Sequence, residues 1–163
     1  MAACDGQDGV KDGVIDDPRR CKFDPASLIC TAGDNDSCLS AAQAEAVKKV
    51  YAGVKNPRTG KLIFPGYPIG SEAFGNAGQS WASMVTGRTP RRVEFFNYFL
   101  FHDPNWDWHT FDFDKDVDYA EAKVGFINAV NPDMERFRAR GGKLLMFAGW
   151  VDPILPGEDV VAY

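Results

Sequence analysis

The stretch NPDMERFRARGGKLLMFAGWVDP, residues 131–153, decides the fold. Asn131 followed by Pro132 reads as a helix N-cap with proline at the first helical position, where its missing N–H has no partner to lose. Met134, Phe137 and Arg138 continue that helix, and Gly141-Gly142 end it. Lys143 to Ala148, KLLMFA, is then a short unbroken apolar run, the pattern of a strand buried within a parallel sheet. Helix, tight turn and buried strand make half of an α/β unit. Gly149-Trp150-Val151-Asp152-Pro153 follows directly. In open α/β sheets, functional groups sit just beyond the carboxyl ends of strands. Asp152 is therefore placed to orient a histidine in a Ser/His/Asp triad. The same carboxylate also reads as a turn residue ahead of a helix that begins near Pro156.

Upstream, the chain changes character. Residues 4–38 are dominated by Gly, Asp and Pro with poor periodicity, which predicts irregular structure. A helix is predicted over 40–52: Ser40 and Gln43 form a capping box, Ala44, Val47 and Tyr51 share a face, and Gly53 stops it. Residues 54–80 are rich in Gly and Pro and read as surface coil. A turn at 55–60 leads there into a short strand at Lys61–Phe64. The segment RRVEFFNYFLF, 91–101, is apolar on more than one side and predicts a buried helix. Residues 103–116 are aromatic and acidic, and a further short helix is predicted over 117–127. The sequence has no internal repeat and no low-complexity tract.

The 163 residues are 45% hydrophobic and 25% charged, which fits a packed core and not a disordered chain. A net charge of −5, with no basic cluster, argues against a nucleic-acid partner. The pairs Arg19–Arg20 and Arg91–Arg92 read as solvated or salt-bridged. No apolar run reaches the length of a membrane span, and the dense charge from Asp5 to Lys22 is unlike a signal peptide. All four cysteines fall between residues 4 and 38. An even, clustered set without Cys-x-x-Cys spacing reads as disulfides from an oxidising compartment. Disulfides without an export signal imply that Met1 is not the natural start of a secreted or periplasmic protein.

The segment CDGQDGVKDGVIDD, 4–17, concentrates Asp5, Asp8 and Asp12. Like charges this close repel, and a divalent cation removes that repulsion. Calcium takes six to eight oxygens, mixing carboxylates with backbone carbonyls. Alternation points Asp8, Val10, Asp12 and Val14 the same way, so the Asp side chains and the Val10 and Val14 carbonyls can converge. An EF-hand is a third reading, against which stand the missing 1-3-5 Asp spacing and the missing Glu at position 12. The competing reading is a solvated acidic turn, since Asp-Gly pairs are ordinary turn sequences. No G-x-S-x-G elbow exists in the chain, and Ser80-Trp81-Ala82-Ser83 lies in an unsuitable context for a nucleophile. His102 and His109 precede Asp152, the reverse of the order Ser, acid, His, and read as structural.

Three stretches together resemble the tannase and feruloyl esterase family of α/β-hydrolases: AACDGQDGVKDGVIDDPRRCKFDP, CLSAAQAEAVKKVYAGVKNPRTGKLIFPGYPIGSE and NPDMERFRARGGKLLMFAGWVDPILP. The resemblance covers nearly the whole chain, in order. It implies calcium coordination by Asp5, Asp8 and Asp12 with the carbonyls of Val10 and Val14. It implies disulfides Cys4–Cys21 and Cys30–Cys38, the first closing the calcium loop at 4–21. A bridge of that span stabilises by about 3 kcal/mol in the chain-entropy model. Asp152 matches the triad acid of the family's G-W-x-D-P segment.

The implied fold is an α/β-hydrolase fragment. A mostly irregular α+β lid domain over 4–130 would carry the calcium loop. Residues 131–163 would supply one helix–strand–helix piece of a partial hydrolase core. The lid would contact the substrate, with Trp81 and aromatic residues of 95–111 as candidates. The implied activity is hydrolysis of aromatic carboxylic esters. The nucleophilic serine and the histidine belong to segments outside this sequence, so the remainder of the core is needed for activity. The reading from a different class is a freestanding calcium-stabilised module binding aromatic or carbohydrate ligands without catalysis.

Overall fold

The computed structural model describes residues 2–33, 35–72, 80–152 and 154–163. Residues 73–79 of the predicted coil and Pro153 of the acid-bearing turn lie outside the described residues.

The first forty residues form no long element. Two short 3-10 turns, Pro18–Arg20 and Pro25–Leu28, begin at prolines whose φ suits a first helical position. Asp17 and Asp24 cap them, accepting from the backbone N–H of Arg19 and Ala26. Helix α1, Ala41–Ala52, begins at the expected box: Ser40 Oγ accepts from Gln43 N at 3.2 Å, and Gln43 Oε1 from Ser40 N at 2.7 Å. Ala44 is fully buried, and α1 packs on the Pro25–Leu28 turn.

A tight reversal at Gly53 leads into β1, Val54–Lys55, paired antiparallel with β2, Leu62–Phe64. The register sets Val54 against Phe64 and Lys55 against Leu62, with an irregularity between Val54 and Lys55. Gly53 and Gly66 have φ of 72° and 91°, and their backbones press on this hairpin. A Cβ on Gly53 would strike the Phe64 carbonyl, and one on Gly66 the Tyr51 carbonyl. Only glycine permits both the conformation and the approach.

Helix α2, Trp81–Val85, is capped by Ser80. The predicted helix at 91–101 appears as a π-helical segment, Phe95–Leu100, with Phe101 N donating to Phe96 O at 2.9 Å. Its periodicity has a packing reason. Phe96 and Phe101, five residues apart, both stack on Trp106, at 5.7 and 4.7 Å between ring centroids. An α-helix would splay these two side chains, whereas the wider turn brings them to one face. Leu100 is buried, but Phe95, Tyr98 and Phe99 are exposed, which corrects the expectation of a fully buried helix. Helix α3, Lys115–Val124, runs on into a 3-10 turn, Gly125–Ile127.

The last segment departs most from the sequence reading. Helix α4 spans only Glu135–Ala139, and Asn131 instead caps a turn by accepting from Asp133 N at 3.0 Å. The strand predicted over 143–148 does not form. Residues 143–149 have no regular structure, and Leu145 and Phe147 are 89% and 92% exposed. A parallel strand takes its hydrogen bonds from neighbours, and the described residues contain one two-stranded antiparallel sheet. The predicted helix–strand–helix piece is therefore helix–loop–helix here. It ends with α5, Gly157–Ala162. Tyr163 ties the end of α5 back to the turn before α4, its hydroxyl donating to Asn131 O at 2.9 Å.

Candidate functional site

Two regions carry the predicted site residues. The first is the acidic loop. Cys4 and Cys21 are bonded and buried, with Cα atoms 5.6 Å apart, inside the ordinary range for a bridge. Cys30 and Cys38 form the second disulfide, with Cα atoms 5.0 Å apart. Within the first loop, Asp5 Oδ1 accepts from Gly13 N at 2.7 Å and so folds its first half back on its start. Asp8 and Asp12 accept from Val10 N and Val14 N at 2.8 and 3.1 Å. Their donor chemistry, three carboxylates among flexible carbonyls, fits calcium. The geometry turns one oxygen of each carboxylate to its own backbone, and among the described residues no three acidic, His or Cys side chains converge around a metal position.

The second region surrounds Asp152. Asp152 Oδ1 accepts from the backbone N–H groups of Ile154 and Leu155 at 2.8 and 2.9 Å, and Asp152 N donates to Gly149 O at 3.3 Å. The carboxylate thus organises its own turn, as the turn reading expected. Its charge reaches Tyr67. Burial pushes the Tyr67 hydroxyl up from its ordinary pKa, Arg92 opposes this, and Asp152 adds to it. Tyr67 stacks on Trp81 at 6.4 Å, and Tyr51 meets Trp81 edge-on at 5.9 Å. Trp81 is buried, and its indole N–H has no partner among the described residues. It lines a cavity of about 580 Å³ with Tyr51, Ile69 and Glu72.

A second cavity, of about 510 Å³, is walled by Phe96, Trp106, Trp108, Phe111 and Phe113. His109 stands at it, with Nδ1 2.6 Å from Asp107 Oδ1. That contact, after the backbone N–H of His109, holds the Asp107 carboxyl below its usual range. Ser80 and Ser83 are occupied in capping α2, Ser83 Oγ donating to Ser80 O at 2.7 Å. Neither is presented as a nucleophile. No helix among the described residues is long and apolar enough to cross a membrane.

A family model described as tannase and feruloyl esterase matches residues 1–163. The chain belongs to the tannase and feruloyl esterase family. An uncharacterized esterase of Xanthomonas campestris pv. campestris is 35% identical over 181 residues, spanning 100% of this chain and 31% of the relative. Feruloyl esterase B of Aspergillus niger is 32% identical over 161 residues, spanning 98% of this chain and 30% of that protein. Among solved structures, feruloyl esterase B from Aspergillus oryzae superposes with a TM-score of 0.83 at 28% identity. That likeness covers 99% of this chain and 32% of the esterase. The chain thus spans under a third of the length of the family relatives it matches.

Reasoning from the sequence missed one contact. The Arg19 guanidinium lies 4.7 Å from the centre of the Trp150 ring, joining the acidic loop to the turn that carries Asp152. Arg19 is locked to Asp17, Nε to Oδ1 at 2.8 Å and Nη2 to Oδ2 at 2.9 Å. The Arg-Arg pair read as solvated or salt-bridged, and nothing in the spacing of residues 19 and 150 signals that they meet.

Proposed function

We propose that this chain supplies the lid, residues 4–130, and the triad-acid segment, residues 131–163, of a carboxylic ester hydrolase acting on aromatic esters such as feruloyl or galloyl esters. The observation that carries this reading is the family match over the entire chain, with relatives named as feruloyl esterases. Serine and histidine from the rest of the hydrolase would complete the triad. The serine attacks the ester carbonyl, the alcohol leaves, and water hydrolyses the acyl-enzyme. Asp152 holds the histidine tautomer and stabilises the imidazolium. The turn around Asp152 supports this role. Its Oδ1 is fixed by two backbone N–H groups, and Oδ2 is the oxygen a histidine N–H would take.

The lid would contact the aromatic acyl group, with Trp81 a candidate wall beside Tyr67. A calcium ion held by Asp5, Asp8 and Asp12 with the carbonyls of Val10 and Val14 would be structural, bracing a segment with little regular structure. Two disulfides support a secreted or periplasmic setting.

The test is Asp152→Asn in a full-length esterase carrying this segment, assayed on methyl ferulate and methyl gallate. The expected loss in kcat is on the order of 10⁴-fold, the effect of removing a triad carboxylate. Undiminished turnover would refute the assignment. The 163-residue chain alone should show no esterase turnover. The aromatic cavity at Trp106 and Trp108 favours one other reading, a calcium-stabilised binding module without catalysis. That reading is supported if the 163-residue chain binds methyl ferulate while the full-length protein shows no ester hydrolysis.

A further inference from the structure

We propose that Arg19 is a positioning residue for Asp152, acting through Trp150. The inference rests on the triad role of Asp152 proposed above. It starts from how firmly Arg19 is held. The backbone N–H, Nε and Nη2 of Arg19 all donate to the Asp17 carboxylate, at 3.1, 2.8 and 2.9 Å. Asp17 also caps the turn Pro18–Arg20, which runs straight into Cys21 and its bond to Cys4. The guanidinium therefore has both its direction and its base fixed.

What it holds is the indole of Trp150, two residues before Asp152. A second element grips the same ring. Gly157, the first residue of α5, packs so closely that a Cβ there would stand 2.9 Å from Trp150 Cε3. The Glu158 carboxylate next to it adds its charge to the field on Arg19. Its Oε2 is buried without a partner among the described residues.

Trp150 is thus clasped between the disulfide-closed loop and α5. The backbone from Gly149 to Asp152 is a single tight turn, with Asp152 N donating to Gly149 O. A rotation of the indole moves that turn and with it the carboxylate. A cation over an aromatic face is a directional attraction, so the link constrains orientation as well as distance. Arg19 is partly exposed and outside any core, so its removal should leave the fold intact.

The experiment has two arms. In the first, the 163-residue chain is labelled with 5-fluorotryptophan and its four resonances are followed by ¹⁹F NMR. Trp150→Phe assigns the relevant signal. Arg19→Ala should shift the Trp150 resonance and leave those of Trp81, Trp106 and Trp108 in place. An unmoved Trp150 signal overturns the contact.

The second arm uses a full-length esterase carrying this segment. Arg19→Ala should lower kcat about two- to fivefold with KM for methyl ferulate unchanged, the loss expected of one cation–π contact felt only at the reacting centre. The acid limb of the kcat profile should move to lower pH, because a displaced carboxylate stabilises the imidazolium less. Arg19→Lys, which keeps the charge, should restore much of kcat. A rise in KM alone, or a pH profile that does not move, overturns the proposal. Unchanged kcat in Arg19→Ala, where Asp152→Asn disables the enzyme, overturns it too and leaves the triad reading standing. Unchanged kcat in Asp152→Asn defeats both.

Discussion

At the scale of single residues, Asn56 ties two distant segments of the chain together. Its buried side chain accepts from Arg58 N and Thr59 N at 2.9 and 2.8 Å and donates to Asp114 Oδ1 at 2.9 Å. Arg58 reaches the same carboxylate, Nε to Oδ2 at 2.7 Å. The hairpin loop is thereby pinned to the start of α3. The Arg58 guanidinium, and then the Asn56 amide, hold the Asp114 carboxyl below its ordinary pKa. A depressed carboxylate stabilises the fold above its unfolded pKa, about 3.9, and that contribution is lost as pH falls through the lower folded value. Wild-type stability should therefore decline below about pH 4, and Asp114→Asn should flatten part of the decline. Urea unfolding between pH 3 and pH 6 checks this, and identical slopes in the two proteins would contradict it. None of this was legible in the sequence, because residues 56 and 114 meet only through the tertiary fold. The turns at Asp8, Asp12 and Asp152 were legible, because each carboxylate bonds backbone N–H groups two or three residues on.

At the scale of elements, legibility followed the range of the interactions. Helix α1 and the strand Leu62–Phe64 were readable because a capping box, one apolar face and glycine stops act within a few residues. The strand expected at 143–148 was not formed, because a strand buried on both faces needs partners that the described residues do not supply. The π-helical segment was read as α, since the apolar pattern gives no sign of the shared ring, Trp106, that selects the wider turn. The loop 4–21 stands between these cases. Its disulfide is formed, and one oxygen of each carboxylate is held by a backbone N–H of the loop. A bound ion would draw the second oxygens of these carboxylates together, so calcium should tighten the loop. Scanning calorimetry of the chain in millimolar calcium should show a higher midpoint than in EGTA, by the mass-action stabilisation of any ligand that binds only the folded form. Asp8→Ala and Asp12→Ala should each abolish the difference. Superimposable transitions with and without EGTA would remove the ion from the account.

At the scale of the whole molecule, the distribution of apolar surface is the dominant fact. Among the described residues, the buried hydrophobic side chains are few and scattered, Ala44, Trp81, Leu100 and the Cys4–Cys21 bridge, joined by Asn56, Ser71 and Pro156. The most apolar run in the chain lies outside. Leu144, Leu145, Met146 and Phe147 are all exposed, and Phe126, Val130 and Leu155 are exposed as well. Contiguous apolar surface of this kind marks an interface or an aggregation liability. A strand-like apolar run outside any sheet among the described residues adds a template for another strand. Both features suit a segment that the remainder of a hydrolase would cover. On its own, the chain should therefore associate with copies of itself. Sedimentation velocity at rising concentration should show growing species above the 18.0 kDa monomer. Leu145→Lys and Phe147→Glu, together, should shift the population back to monomer. Their side chains touch little in the folded chain, so the thermal midpoint should stay within the small range of surface substitutions, about 0.5 kcal/mol in stability. A double variant that associates as strongly as the parent would locate the sticky surface elsewhere. One that unfolds would show that 143–148 packs against the rest of the chain more closely than its exposure indicates.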